Sequence, residues 1–189
     1  MSRFQTGTFN RERLKLFRKL CPCQAVQSIY EVDLDDLKAK GKKLILLDVD
    51  NTLLPWKSEQ IPDELFEWVA AIRQAGMQLC ILSNTRRPAR LARIAARLDI
   101  DFIRDKFKPS RRMYELALAR YKAEKCEAVM IGDQLFTDVL GANRTGIDAI
   151  WVKPIARKEF AGTKISRLGE RLVCRRLYRT MGARRVSQR

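Results

Sequence analysis

The sequence contains no histidine. That absence removes imidazole general bases, Ser-His and Cys-His nucleophile pairs and every His-containing metal site. Catalysis in this chain must therefore run on carboxylates, lysines, hydroxyls, thiols or a bound cation. Long apolar runs are missing too. Runs such as Leu44 to Leu47 have the length of a strand, whereas a membrane-crossing helix needs ~20 apolar residues. The opening stretch MSRFQTGTFNRERLKLFRKL lacks the apolar region of a secretory signal, so a cytoplasmic protein is expected. Cysteine is sparse and odd in number, at positions 21, 23, 80, 126 and 174. Cys80 and Cys126 lie in apolar, strand-like runs, which suits reduced core thiols better than a disulfide framework. Cys21-Pro22-Cys23 is too tight for the usual zinc spacing and has no second pair.

Acidic residues are outnumbered, 22 against 38 Lys and Arg, leaving a formal charge of +16. The excess sits at the ends, in Arg3 to Lys19 and in Lys164 to Arg189, where Glu170 is the only acid. Basic ends attract polyanions, and charge alone does not choose between nucleic acid and an anionic lipid surface.

What is present centres on LILLDVDNTLLPW, residues 44 to 56. Four aliphatic residues lead into Asp48 and Asp50, one residue apart. On a continuing strand the two side chains would share a face, and carboxylates that close shift each other's pKa unless a cation or proton intervenes. From Lys42 to Lys153, apolar strand-like runs alternate with helical ones: LILLDVD, PDELFEWVAAIRQAG, MQLCILS, RRPARLARIAARL, IDFI, PSRRMYELALARYKAE, EAVMIGD, DVLGANRTG and DAIWV. Strands apolar throughout, alternating with helices, imply an α/β domain: a doubly wound parallel sheet with helices on both faces. Pro109 is expected to open the third of these helical runs, and Gly146 to close the last. The division expected is a basic segment over residues 1–27, the α/β domain over 28–156 and a basic extension over 157–189. Ligands gather at the carboxyl ends of such strands, which directs attention to Asp48 and Asp50, Ser83 and Asn84, and Gly132 and Asp133.

DVDNT, SNT, the pair Lys108-Pro109 and GDQLFTD stand in the order and spacing of the haloacid dehalogenase-like (HAD) phosphohydrolases, and the chain resembles that family from Leu44 to Val152. More narrowly, SIYEVDLDDLKAKG, DNTLLPW and GDQLFTDVLGANR resemble the YqeG-type phosphatases, a group similar to phosphatidylglycerophosphate phosphatases. The resemblance implies a Rossmann-like HAD fold. It implies Asp48 as the nucleophile that forms an aspartyl-phosphate, Asp50 as the general acid and base, and Lys108 as a fixed positive charge. Ser83 and the Asn84 amide would bind phosphoryl oxygens, and Thr52 would brace the turn beside them. Mg²⁺ would be held by Asp48, the Asp50 backbone carbonyl, Asp133 and Asp138. Lys106 is a neighbouring rival for the role of Lys108. An EF-hand reading of DVDNTLLPWKSE, with Glu59 in its last place, is weakened by Leu53 where such loops carry glycine and by Pro55.

Caps that close over small substrates in this family enter after the first motif or between the second and third. Neither gap has room for one here, so no cap domain is expected. An open site suits a phosphate on something too large to enclose. Phe4, Phe9, Leu14, Phe17 and Leu20, interspersed with basic residues, resemble an interfacial anchor. ISRLGERLVCRRLY near the other end is similarly mixed, and Trp56 is placed to touch headgroups. The expectation is a Mg²⁺-dependent phosphatase acting on a lipid-linked phosphate, phosphatidylglycerophosphate, at the inner face of a membrane. The alternatives are a phosphatase for nucleic-acid or protein phosphate, with nucleic acid bound through the basic tails, and a non-catalytic RNA- or ribosome-associated module.

Overall fold

The computed structural model describes residues 6–8, 18–105, 107–156 and 173. In chain order the strands are β1 (Gly7–Thr8), β2 (Gln24–Val26), β3 (Leu44–Leu47), β4 (Gln78–Leu82), β5 (Asp101–Ile103), β6 (Ala128–Gly132) and β7 (Asp148–Val152). The helices are α1 (Leu34–Ala39), α2 (Asp63–Gln74), α3 (Pro88–Leu98), α4 (Arg112–Tyr121) and α5 (Leu140–Thr145). They build one seven-stranded sheet in the order β1-β2-β7-β6-β3-β4-β5, parallel except for β1 against β2. The chain runs outward from β3 through β4 to β5, then returns to lay β6 on the other flank of β3. The strand order therefore reverses between β3 and β6, which is where a doubly wound sheet opens a crevice at its carboxyl edge.

Alternation along β3 decides which helices cover which face. Ile45 and Leu47, with Leu79 and Ile81 of β4, pack under Leu65, Trp68 and Ile72 of α2 and Leu91, Ile94 and Leu98 of α3. Leu44 and Leu46, with Cys80 and Leu82, pack under Met113, Tyr114 and Ala117 of α4 and Ala142 of α5. Both faces of β3 are thus buried, so it reads as four consecutive aliphatic residues rather than as an alternating strand. α2 follows Pro62 and carries Asp63 and Glu64 in its first turn, where carboxylates favour the positive end of the helix dipole. Gly76 follows it in the left-handed region at φ +81°. No domain is inserted between β3 and α2 or between β4 and β5 among the described residues.

The structure departs from the sequence expectation at four places. The sheet begins before residue 28: Gln24–Val26 pairs in parallel with β7, and Cys23 N–H donates to the Ala149 carbonyl at 2.8 Å. Three residues are too few to show a period, yet β2 covers what would otherwise be a bare sheet edge. The helix expected to open at Pro109 is α4, which opens at Arg112. The last helical run starts earlier than Asp138, as a π-helical turn over Leu135–Val139 that continues into α5. Cys126 is exposed, because β6 starts only at Ala128; Cys80 is buried as expected, and no disulfide joins the described cysteines.

Phe4, Phe9, Leu14, Phe17, Cys174 and almost all of the C-terminal extension lie outside the described residues. No helix among the described residues is long and apolar enough to cross a membrane.

Ala25 is fully buried in β2. Ala25→Asp is expected to lower the unfolding free energy by about 3 kcal/mol, since it buries a charge without a partner. A urea melt checks it, and an unchanged midpoint would mean that this segment is not part of the sheet.

Candidate active site

β3 ends at Leu47, but its ladder runs one bond further, with Asp48 N–H donating to the Ile131 carbonyl at 3.0 Å. The chain then turns. Thr52, Leu53 and Leu54 all donate their N–H groups to the Val49 carbonyl, and Asn51 takes a left-handed φ of 66°. This corrects the strand expected to continue through Asp50: the two-residue period does not set how Asp48 and Asp50 lie. Asp48 faces inward and is buried. Asp50, about a quarter exposed, places Oδ1 2.9 Å from an Arg90 guanidinium nitrogen.

Asp48, at the end of β3, meets Asp133, which follows β6, and Asp138, on the π-helical turn. One carboxylate oxygen from each lies within 4.8 Å of the other two, and all three residues are buried. Asp50's side chain is not part of this cluster, so of the four expected metal ligands only its backbone carbonyl remains as its contribution. Lys108 is buried against the cluster. Its Nζ donates to Asp48 Oδ1 at 2.6 Å and to the Leu82 carbonyl at 2.7 Å, and it stands 2.7 Å from Asp138 Oδ1. Thr52 Oγ1 lies 3.3 Å from Asp133 Oδ1 and 3.5 Å from Asp48 Oδ2.

The charges do not balance. Three ionised carboxylates against one ammonium leave two negative charges out of contact with water. Burial first, then the charge of Asp138 and that of Asp50, push the Asp48 carboxyl up to about 7 against the pull of Lys108. For Lys108, burial alone would favour the neutral amine, but Asp138 and Asp48 more than reverse that and raise its pKa above the ordinary lysine value. It stays an ammonium ion. Three hard oxygen donors with a residual charge of two fit a small divalent cation such as Mg²⁺.

The surroundings hold these groups in place. The Asn84 side chain grips the Lys108 peptide from both sides: its Oδ1 accepts from Lys108 N–H at 2.8 Å and its Nδ2 donates to the Lys108 carbonyl at 3.1 Å. Ser83 is buried and its Oγ accepts from Thr85 N–H at 3.2 Å. Asp138 Oδ2 accepts from Gln134 N–H at 3.1 Å. A methyl group on Gly132 would come within 2.6 Å of Asp138 side-chain atoms, so only glycine lets that carboxylate lie against β6. Lys106 lies outside the described residues. Glu59 binds Arg93 with both oxygens, at 2.8 and 2.6 Å, and so serves no EF-hand loop.

Three contributors went unread in the sequence. Arg90 is buried and, besides meeting Asp50, donates from Nε and a terminal nitrogen to the Ser58 carbonyl at 3.0 and 2.5 Å. Its signal was available: it stands four residues before Ile94 and eight before Leu98, inside the apolar stripe of α3. Tyr114, fully buried, donates its hydroxyl to the Asp138 carbonyl at 3.1 Å. Trp151 Nε1 donates to the Asp133 carbonyl at 2.9 Å. Neither aromatic had a signal beyond an apolar run.

A family model for haloacid dehalogenase-like hydrolases matches residues 3–146. The chain is 34% identical over 158 residues to "Probable phosphatase YqeG" of Bacillus subtilis (strain 168), covering 84% of this chain and 91% of that protein. It is 26% identical over 146 residues to the chloroplastic/mitochondrial phosphatidylglycerophosphate phosphatase 1 of Arabidopsis thaliana, covering 73% of this chain and 42% of that protein. The fold is similar to that of a HAD phosphatase from Thermococcus onnurineus, with a TM-score of 0.51 at 18% identity over 63% of this chain and 90% of that one.

Lys108→Met would strand two buried carboxylates. The expected cost is about 3–5 kcal/mol near neutral pH, read from urea unfolding of the metal-free protein. The native Asp48 value, about 7, lies above that of an unfolded aspartate. Between the two, the unfolded chain has released a proton that the native one retains, so metal-free stability declines as pH rises through that window. Below it the Asp48 carboxyl is neutral and the variant's deficit is expected to shrink.

Proposed function

Because this chain belongs to the haloacid dehalogenase-like hydrolases, we propose that it is a Mg²⁺-dependent phosphatase whose nucleophile is Asp48. The observation that carries this reading is the buried trio Asp48, Asp133 and Asp138 with Lys108 wedged against it, at the carboxyl ends of β3 and β6. Asp48 attacks phosphorus and forms an aspartyl-phosphate, the covalent route open to a carboxylate. The bond between phosphorus and the leaving oxygen breaks, and Asp50 gives that oxygen a proton. Asp50 then takes a proton from the water that hydrolyses the intermediate.

Phosphoryl transfer is mostly positioning and charge stabilisation, and the remaining groups supply both. Lys108 sets a fixed positive charge beside the phosphoryl oxygens. Ser83 and the Asn84 amide donate to those oxygens, and the Asn84 side chain keeps the lysine where it acts. Arg90 positions Asp50 from α3. Asp48, Asp133, Asp138 and the Asp50 carbonyl would hold Mg²⁺, which would neutralise the charge that one lysine leaves uncovered.

We read the substrate as a phosphomonoester on a lipid, phosphatidylglycerophosphate. Among the described residues no domain is inserted over the site, which supports this, since a bilayer-borne phosphate needs an open mouth. The likeness to the Arabidopsis phosphatidylglycerophosphate phosphatase points the same way.

Hydrolysis of a generic aryl phosphate is expected to require Mg²⁺ and to fall at least about 10³-fold in Asp48→Asn; activity that survives the substitution would remove the nucleophile. Offered phosphatidylglycerophosphate in mixed micelles beside soluble phosphomonoesters, the protein is expected to prefer the lipid. Preference for the soluble compounds would overturn the lipid assignment and leave the chemistry standing.

A further inference from the structure

Four large apolar side chains are well exposed among the described residues: Phe66, Phe107, Leu116 and Ile155. Two of them, Phe107 at 57% and Ile155 at 51% exposure, stand on the loops that leave the carboxyl ends of β5 and β7. Those strands are parallel to β3 and β6, so both loops rise on the sheet edge that carries the carboxylate cluster. Each apolar tip is also tied to the site through the backbone. Phe107 immediately precedes Lys108, whose peptide Asn84 grips. Ile155 N–H donates to the Asn51 carbonyl at 3.0 Å, while Trp56 N–H donates to Asn51 Oδ1 at 3.2 Å. One buried asparagine thus holds Trp56 and Ile155 beside the turn that follows Asp48.

The same rim is cationic. Lys57 lies over the Trp56 ring at 4.1 Å. Arg104 donates to the Thr85 carbonyl and Lys153 to the Gln27 side chain, both neutral acceptors. Arg87 heads α3 beside them. None of these four has a carboxylate partner among the described residues, whereas the nearby acids Asp105 and Glu59 are already engaged by Arg112 and Arg93. Apolar tips surrounded by uncompensated cations suit an interface that is greasy inside and negatively charged at its surface.

We propose that this rim is a docking surface for an anionic phospholipid bilayer, and that it seats the mouth of the site directly on the membrane. The inference deepens the lipid-substrate reading and rests on it for its purpose. A single-stranded nucleic acid would also meet the cations and could stack on Phe107 and Trp56, but it has no use for the aliphatic tip of Ile155; a bilayer takes all three. Behind the rim lies a groove of about 450 Å³, lined by Pro55, Ile155 and Thr52 of the site, with Lys153 and one carboxylate, Glu64, also in its wall. It gives the apolar part of a lipid a place beside the cluster.

The test uses the full chain and vesicles of phosphatidylcholine with and without phosphatidylglycerol, at matched salt. The protein is expected to sediment with the anionic vesicles only. Phe107→Ser combined with Ile155→Ser is expected to weaken that partition about tenfold or more. Arg87→Gln combined with Lys153→Gln is expected to weaken it and flatten its salt dependence. Both pairs should leave soluble aryl phosphate hydrolysis within about twofold, since neither touches the reacting groups. Undiminished vesicle binding by the apolar pair overturns the proposal and assigns membrane affinity to the basic ends. Retention on single-stranded RNA without retention on vesicles overturns it as well. If the wild-type chain hydrolyses no aryl phosphate, the phosphatase reading fails separately; vesicle partition still decides the docking, with thermal melts confirming that the variants fold.

Discussion

Lys108 is buried in contact with two carboxylates and one strand-end carbonyl, and every other feature of the site answers to that placement. A buried ammonium ion is tolerable only when each N–H finds an acceptor. Supplying those acceptors requires β3, β4 and the π-helical turn to converge within hydrogen-bond reach, which the strand order achieves. The lysine also sets the limits of self-neutralisation. One positive charge cannot balance three acids, and the deficit makes the place receptive to a divalent ion and to a phosphoryl group arriving with it.

The supporting parts are small residues and backbone contacts rather than further charges. Gly132 yields the volume of a methyl group to Asp138. Tyr114 props the turn that carries Asp138, and Gly141 leaves space for the tyrosine ring. Trp151 anchors the Asp133 backbone from β7. A buried polar network of this kind is costly when half complete, and here the four central groups draw support from five different strands and helices. The site is therefore complete only when the whole domain is packed correctly.

Much of this could be read from the sequence, and the reasons differ by residue. The alternating runs gave the five strands from β3 to β7 and the helices between them because buried parallel strands are apolar throughout. Asp48, Ser83 and Asp133 could be picked out because polar groups at the ends of such strands are conspicuous. Lys108 and Asp138 came from the family resemblance; on physical grounds each is one charged residue among many. β2 escaped because three residues display no period. The true disposition of Asp50 escaped because the turn after Leu47 is set by three amides converging on one carbonyl, which no alternation records. Arg90 was visible only as an interruption in an apolar stripe, and in a chain so rich in arginine such an interruption passes for noise.

That arginine has a wider meaning for the enzyme. It joins Asp50 and the Ser58 carbonyl to a helix whose position is set by the apolar packing of Leu91, Ile94 and Leu98 on the sheet. α3 thus acts as a lever whose fulcrum lies in the core and whose working end is Asp50, the residue proposed to carry the proton. A shift of about 1 Å at a reacting group is worth up to two orders of magnitude in rate. Conservative changes beneath this helix, remote from any phosphate, should then register as slowed turnover in a protein that still melts almost normally.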